Sequence, residues 1–283
     1  MRHAIAGRAG KDRLDVVMLR RGLARSRRAA QALVMSGRVS IRGRRIEKPG
    51  HPVPEDIAIS VAPSDRVYAS RGGIKLAGAL DHFGLDIRNL SAIDIGASTG
   101  GFTDCLLRRG AKRVVALDVG HGQIDWTVRR DPRVIVLEGV NARYLAASNL
   151  PEGVVPFDLA TVDVSFISLR LILPSVLPFL RDHPGRPGQV LALAKPQFEV
   201  GRGHVGRGGI VRDALLRCES LAAIGCFART IGFGVLGLAR SRPRGAGGNY
   251  EYFIHLHVLR EGLTPEEIKR HAVEITEEES APV

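Results

Sequence analysis

Apolar positions divide the chain into two stretches with different periods. From residue 13 to 63 the apolar runs are short. Leu14, Val17, Met18 and Leu23 fall at helical spacing and predict a helix stopped by Gly22. Ser26 reads as the N-cap of a second helix, R-R-A-A-Q-A-L-V-M-S-G, closed by Gly37. Val39, Ile41 and Ile46 predict short strands around a turn at Arg42 to Arg45, and Val53, Ile57, Ile59 and Val61 complete a small sheet. Beyond residue 70 the pattern becomes one of apolar strands alternating with helices, which predicts an α/β fold. Leu76, Leu80 and Phe83 suit a short helix. Strands are predicted at 92–95, at 114–117 ending in Asp118, and at 133–137, 158–169, 190–196, 235–241 and 251–259. Helices are predicted at 169–180 and 214–231, and Thr264, Pro265 and Glu267 fit the N-cap, first-turn proline and capping box of a last one. The expected organisation is a disordered basic arm (1–12), a small α+β module (13–63), a linker (64–69), a large domain (70–262), and a C-terminal helix with an acidic tail (263–283).

Charge changes the reading of the small module. The 283 residues carry a net charge of +12, and residues 1–66 hold fifteen Lys/Arg against six Asp/Glu, so nine of the twelve excess charges lie there. Such a concentration favours a polyanion, nucleic acid first. Arg20, Arg21, Arg25, Arg27, Arg28, Arg38, Arg42, Arg44 and Arg45 decorate a unit with little to bury. Guanidinium groups bind phosphate bidentately, which suits structured RNA; a merely solvated basic face is the alternative. The three cysteines form no CxxC pair and read as reduced core thiols of a cytoplasmic protein. The scattered histidines suggest no metal site. No apolar run is long enough for a transmembrane helix, and the basic N-terminus lacks the apolar core of a signal peptide.

The chemistry concentrates between Ser91 and Val119, S-A-I-D-I-G-A-S-T-G-G-F-T-D-C-L-L-R-R-G-A-K-R-V-V-A-L-D-V. This is strand, glycine turn, helix, strand, acid, with Asp118 placed to accept both hydroxyls of a ribose. The turn is neither a P-loop nor G-x-G-x-x-G. Asp94, just before it, suits a ligand with a positive end better than a pyrophosphate, and S-adenosyl-L-methionine is such a ligand. A turn that only packs helix on strand is the plain alternative. Asn141, after the third strand, can hydrogen-bond an adenine edge or simply cap a turn. Asp163 and Lys195 close two neighbouring strands at the end where such sheets bind ligands, either as a structural ion pair or in chemistry. The glycine-rich stretch 197–213 is long enough for a lid or binding loop, and Arg202, His204 and Arg207 on it could contact RNA.

The small module resembles the S-four-type RNA-binding domain. R-L-D at 13–15, G-L-A-R-S-R at 22–27, A-A-Q-A-L-V at 29–34, and G-R-V-S-I-R-G at 37–43 followed by K-P at 48–49 carry the resemblance. From Arg13 to about Leu259 the chain resembles the TlyA family of 2′-O-ribose rRNA methyltransferases. Its motifs are S-R-G-G-I-K-L (70–76), D-I-G-A-S-T-G-G-F-T-D (94–104), D-V-G-H-G-Q (118–123), V-D-V-S-F-I-S (162–168), K-P-Q-F-E (195–199), V-G-R-G-G-I-V-R-D (205–213) and G-N-Y-E-Y-F (248–253). The resemblance implies a Rossmann-like methyltransferase fold with a seven-stranded, mostly parallel sheet. It implies S-adenosyl-L-methionine as cofactor, and ribosomal RNA or ribosomal subunits as partner, with no membrane and no obligatory protein partner. The family's Lys-Asp-Lys-Glu tetrad falls on Lys75, Asp163, Lys195 and Glu251. Its cofactor positions fall on Gly96, Ser98, Thr99, Gly100, Gly101, Phe102, Asp118 and Asn141. RNA contact is expected from Arg13, Arg20, Arg25, Arg27, Arg28, Arg38, Arg42 and Arg44. His121 and Tyr68 depart from the aromatic and Trp common at those places. The family's haemolysin label would require a membrane-active segment, and an RNA-binding protein without chemistry would have no use for the tetrad. A pseudouridine synthase with this RNA module would lack the glycine turn.

Overall fold

The computed structural model describes residues 11–24, 26–35, 37–62, 67–183, 185–259 and 261–277. Most of the expected basic arm, Arg25, part of the linker and the end of the acidic tail lie outside the described residues. The chain divides into two compact units, Met1–Val67 and Tyr68–Val283.

In the first unit, β1 (Lys11–Arg13) leads into α1 (Leu14–Arg20) and α2 (Arg27–Met35), followed by β2 (Val39–Ile41), β3 (Arg44–Arg45), β4 (Pro52–Pro54) and β5 (Ile59–Val61). Gly22 and Gly37 take positive φ (68° and 70°) just beyond the two helices, and the Ser26 hydroxyl accepts the Ala29 N–H at 3.1 Å. The expected single sheet is instead two, β1 with β4 and β3-β2-β5. Lys11–Arg13, read as arm and helix start, supplies the partner for Pro52–Pro54. Leu14, Val17, Met18, Ala30, Val34, Val39 and Val53 form its core.

The second unit opens with α3 (Arg71–His82), β6 (Ser91–Ile95), α4 (Gly101–Arg108), β7 (Arg113–Asp118), α5 (Trp126–Arg129) and β8 (Val134–Glu138). It continues with β9 (Leu159–Val162), α6 (Leu169–Val176), β10 (Gln189–Ala194), α7 (Ala214–Thr230), β11 (Gly234–Arg240), β12 (Tyr252–His257) and α8 (Pro265–Glu277). The seven strands run in the order β11-β12-β10-β9-β6-β7-β8, and only β12 is antiparallel to its neighbours. Side chains alternate between the faces, as strand geometry requires. Ile93, Ile95, Val115 and Leu117 pack with α6, α7 and α8, whereas Ala92, Val114 and Ala116 pack with α3, α4 and α5. Burial pushes the Cys105 thiol up to about 12, which makes it an inert core group.

One expected strand is corrected. Residues 158–169 yield only Leu159–Val162 as strand, because the chain turns out of the sheet at Asp163 and reaches φ +64° at Phe166. The helix expected to end at 180 stops at Val176 and continues as a 3-10 turn, Leu177–Phe179.

Candidate active site

The strand order reverses between β6 and β9, and the carboxyl ends of those two strands meet there. Open α/β sheets bind ligands at such a point. Gly96 makes the meeting possible. Its φ is +82°, and a Cβ there would stand 2.5 Å from the Asp163 carbonyl oxygen. Gly100 follows at φ +85° as the N-cap of α4. A left-handed backbone favours glycine.

Two glycines bring α3 onto α4. A Cβ on Gly73 would lie 2.8 Å from the Gly101 carbonyl, and one on Gly101 would lie 3.0 Å from the Gly73 nitrogen. The Ser70 hydroxyl caps α3 by accepting the Gly72 N–H at 3.3 Å. This packing carries Lys75, two residues further on, into the cleft. Its Nζ stands 2.5 Å from Glu251 Oε2. Glu251 comes from the residue before β12, and because β12 runs antiparallel, its start lies beside the end of β10.

The second pair closes the two parallel strands. Asp163 follows β9 and Lys195 follows β10, with Lys195 Nζ 2.6 Å from Asp163 Oδ1. The alignment there makes an ion pair rather than a hydrogen bond, since Asp163 Oδ1 has no hydrogen-bond partner. The Lys195 ammonium donates instead to Ser165 Oγ at 2.9 Å. All four side chains are largely enclosed, with 4% to 22% of their surface exposed. Removing one partner of such a pair costs about 3–5 kcal/mol because a charge is left stranded.

These four residues line one cleft of about 270 Å³. The glycine turn forms its other wall, with Gly96, Ser98, Thr99, Gly101 and Phe102 facing in. Gly100, in the same turn, and Asp118, at the end of β7, are not among the cleft-lining residues. Asp118 accepts the Ser98 N–H and the Gly120 N–H, each at 2.7 Å, and so fixes the turn against the end of β7. Asn141 is not brought to the cleft lining. Its side chain accepts the Arg143 N–H at 3.0 Å and caps a 3-10 turn, the plainer of its two readings.

Asp94 is also corrected. It is fully buried, accepts hydrogen bonds from Thr103 Oγ1 (2.6 Å) and Thr161 Oγ1 (3.0 Å), and ties β6 to α4 and β9 instead of facing a ligand. Burial lifts its carboxyl to about 7, although the two threonine hydroxyls favour the ionised form. Periodicity offered no sign of Lys75 or Glu251, which the motif resemblance alone singled out. Ser70 and Ser165 were missed. Each is a hydroxyl within a quoted motif; the partner of Ser165, Lys195, is remote in sequence, and Ser70 lies against Gly101 only in the fold.

In the first unit, several arginines are engaged within the fold. Asp15, fully buried, accepts Arg13 through both Nε and Nη2, Arg27 Nε and Gln31 Nε2 at 2.8–3.0 Å. The Arg13 guanidinium, with Gln31 and Arg27, holds that carboxyl well below the usual range. Arg20 pairs with Asp12 and Glu55, and Arg38 donates to the Ala62 carbonyl. Packing therefore explains part of the arginine content. Arg28, Arg42 and Arg44 are exposed and pair with no carboxylate among the described residues.

No group of side chains among the described residues could hold a metal ion, and no described helix is long and apolar enough to cross a membrane. A Rossmann-like sheet with its last strand reversed and set beside the edge strand, closed by a glycine turn and facing lysine–carboxylate pairs, defines a methyltransferase class of enzyme. The chain belongs to the FtsJ-like methyltransferase family, whose model matches residues 68–258, and carries an S4 domain, whose model matches residues 12–56. It is 44% identical over 249 residues to "16S/23S rRNA (cytidine-2'-O)-methyltransferase TlyA" of Mycobacterium tuberculosis, spanning 88% of this chain and 90% of that one. It is 43% identical over 263 residues to "Putative rRNA methyltransferase YqxC" of Bacillus subtilis, spanning 93% and 92%. A solved structure, "Putative hemolysin from Streptococcus thermophilus", superposes with a TM-score of 0.69 at 40% identity, covering 96% of this chain and 98% of that one.

Proposed function

We propose that the chain methylates the 2′-hydroxyl of a ribose in ribosomal RNA, with S-adenosyl-L-methionine as donor, and that Lys75, Asp163, Lys195 and Glu251 carry the transfer. The observation that supports it most is the convergence of two lysine–carboxylate pairs, at 2.5 and 2.6 Å, on one cleft against the glycine turn. The donor fits this chain because the turn from Gly96 to Phe102 lets a ligand approach the backbone. A carboxylate has about four acceptor sites, so Asp118 keeps room for ribose hydroxyls beside its two backbone contacts. The donor supplies an electrophilic methyl on a sulfonium.

The residues supply alignment and charge. A ribose hydroxyl entering between the pairs meets Lys195, whose ammonium has three donors, one on Ser165. As the oxygen bonds to the methyl carbon, the carbon–sulfur bond would break to leave a neutral thioether and the hydroxyl proton is lost to solvent water, while that ammonium stabilises the negative charge developing on oxygen. Asp163 keeps Lys195 aimed. Glu251 does the same for Lys75, which adds a second positive charge. Pre-aimed charge in an enclosed site is worth about 10²–10³ in rate, and in-line alignment adds to it.

The S4 unit grips the RNA, and the reading places the protein with ribosomes in the cytoplasm. Arg28, Arg42 and Arg44 are its free phosphate contacts, with Arg13, Arg20, Arg27 and Arg38 offering the outward edges of engaged groups. The test is methyl transfer from radiolabelled donor to ribosomal subunits and to naked rRNA. Label at one position that resists alkaline cleavage is expected. Absence of label from every RNA would overturn the enzyme reading. Leakage of washed vesicles without donor would favour a membrane-active protein instead.

A further inference from the structure

Two loops at the cleft are strongly cationic and contain no acid. Residues 200–212 and 240–250 carry six arginines and not one Asp or Glu. They leave the sheet close to the catalytic pairs. The first begins five residues after Lys195. The second ends at Glu251 and packs on it, since a Cβ on Gly245 would fall 2.0 Å from Glu251 Oε1.

The loops are fastened to each other. Asn249, 4% exposed, donates to the Gly209 carbonyl at 2.8 Å and accepts the Val211 N–H at 3.1 Å. Its own carbonyl accepts the Gly245 N–H at 2.9 Å. Arg217 on α7, also buried, donates to the carbonyls of Val211 (3.1 Å) and Arg212 (2.7 Å) and to the Tyr252 hydroxyl (3.2 Å). The first loop is thus pinned at its foot, while Arg207 and Arg212 remain exposed.

The second loop presents its charge in a fixed orientation. Two guanidinium groups approach the Tyr250 ring, Arg244 at 4.0 Å and Arg217 at 4.8 Å from its centre. Arg244 also donates to the Tyr250 hydroxyl. Held by the ring and the hydroxyl of Tyr250, the Arg244 guanidinium keeps its remaining N–H groups for an oxyanion, and its fixed position lowers the entropy lost on binding. No carboxylate pairs with Arg207, Arg212, Arg242 or Arg244 among the described residues. Exposed cations without a counter-charge give a positive surface that an anion would neutralise.

We propose that these two loops form a second RNA-binding surface, within the methyltransferase unit itself, that clamps the phosphodiesters flanking the target nucleotide over the cleft. Arg207, Arg212, Arg242 and Arg244 contact the phosphates, and Asn249 is a positioning residue that holds the two halves together. The inference rests on the RNA methyltransferase reading above. It adds that the S4 unit alone does not account for RNA affinity.

The test compares the full chain with Arg242→Ala/Arg244→Ala, Arg207→Ala/Arg212→Ala and Asn249→Ala, using ribosomal RNA and S-adenosyl-L-methionine as probes. Filter binding at several salt concentrations gives the slope of log K against log[salt]. Each lost phosphate contact lowers that slope by about 0.7–0.9. Either double variant is expected to lower it by about 1.5 and to raise the KM for RNA about tenfold, with kcat and donor affinity nearly unchanged. Asn249→Ala is expected to raise the KM for RNA while leaving donor binding intact, which separates misplacement from unfolding. Unchanged slope and KM in both double variants, with wild-type methyl transfer intact, would overturn the clamp alone. A wild type that binds RNA but transfers no methyl would overturn the enzyme reading, and the clamp would then stand or fall on the slope. A wild type that binds no RNA would overturn both.

Discussion

Asp94 shapes the site without touching it. Its carboxyl, buried among Thr103 and Thr161, has an ordinary value of 3.8 and is raised to about 7 in the fold. Between those values the folded state holds a proton that the unfolded chain has released. Stability contributed by this group is therefore fully present below 3.8 and lost as pH rises through about 7. Asp94→Asn should remove that fall, seen as a flatter thermal midpoint between pH 4 and 7 than in the wild type. An identical pH profile in both proteins would mean that Asp94 is already ionised. Gly96 is the other decisive residue. With φ +82° and the Asp163 carbonyl 2.5 Å from any Cβ, Gly96→Ala should destabilise the fold by more than about 1 kcal/mol. It should also weaken donor binding, measurable by denaturant titration and calorimetry. The sequence carried Gly96, Asp118, Asp163 and Lys195 openly, because glycine turns and strand-end charges are local patterns. It misjudged Asp94, because which face of a strand end meets the cleft depends on the helices packed there.

Local signals also marked most elements. Capping was legible at α8, where Thr264 N donates to Glu267 at 2.8 Å and Glu267 N to Thr264 at 3.3 Å. Thr264→Ala should cost about 1 kcal/mol in chemical denaturation, and leave methyl transfer unchanged, since α8 is remote from the cleft lining. Strand ends were less legible. The apolar run through Phe166 reads as one strand, yet β9 stops at Val162 so that Asp163, Ser165 and the loop beyond can turn toward Lys195. The approach of α3 to α4 through Gly73 and Gly101 was hidden as well, since two glycines 28 positions apart have no common period. That contact decides where Lys75 sits.

The whole molecule divides its work between two compact units. Charge concentration pointed to the RNA-binding role of the first, and the second repeats the theme in two loops without acids. Where arginines lie along the chain could be read directly. Which of them are engaged, as Arg13 and Arg27 are on Asp15, required the fold. The central claim is that the paired lysines and carboxylates of the cleft transfer a methyl group to a ribose hydroxyl. The most direct measurement is single-turnover methyl transfer to ribosomal RNA by wild type and Lys195→Ala, with donor and RNA binding measured on the same preparations. The account predicts transfer reduced by at least about a hundredfold in the variant while both ligands still bind. Undiminished transfer by Lys195→Ala would contradict it.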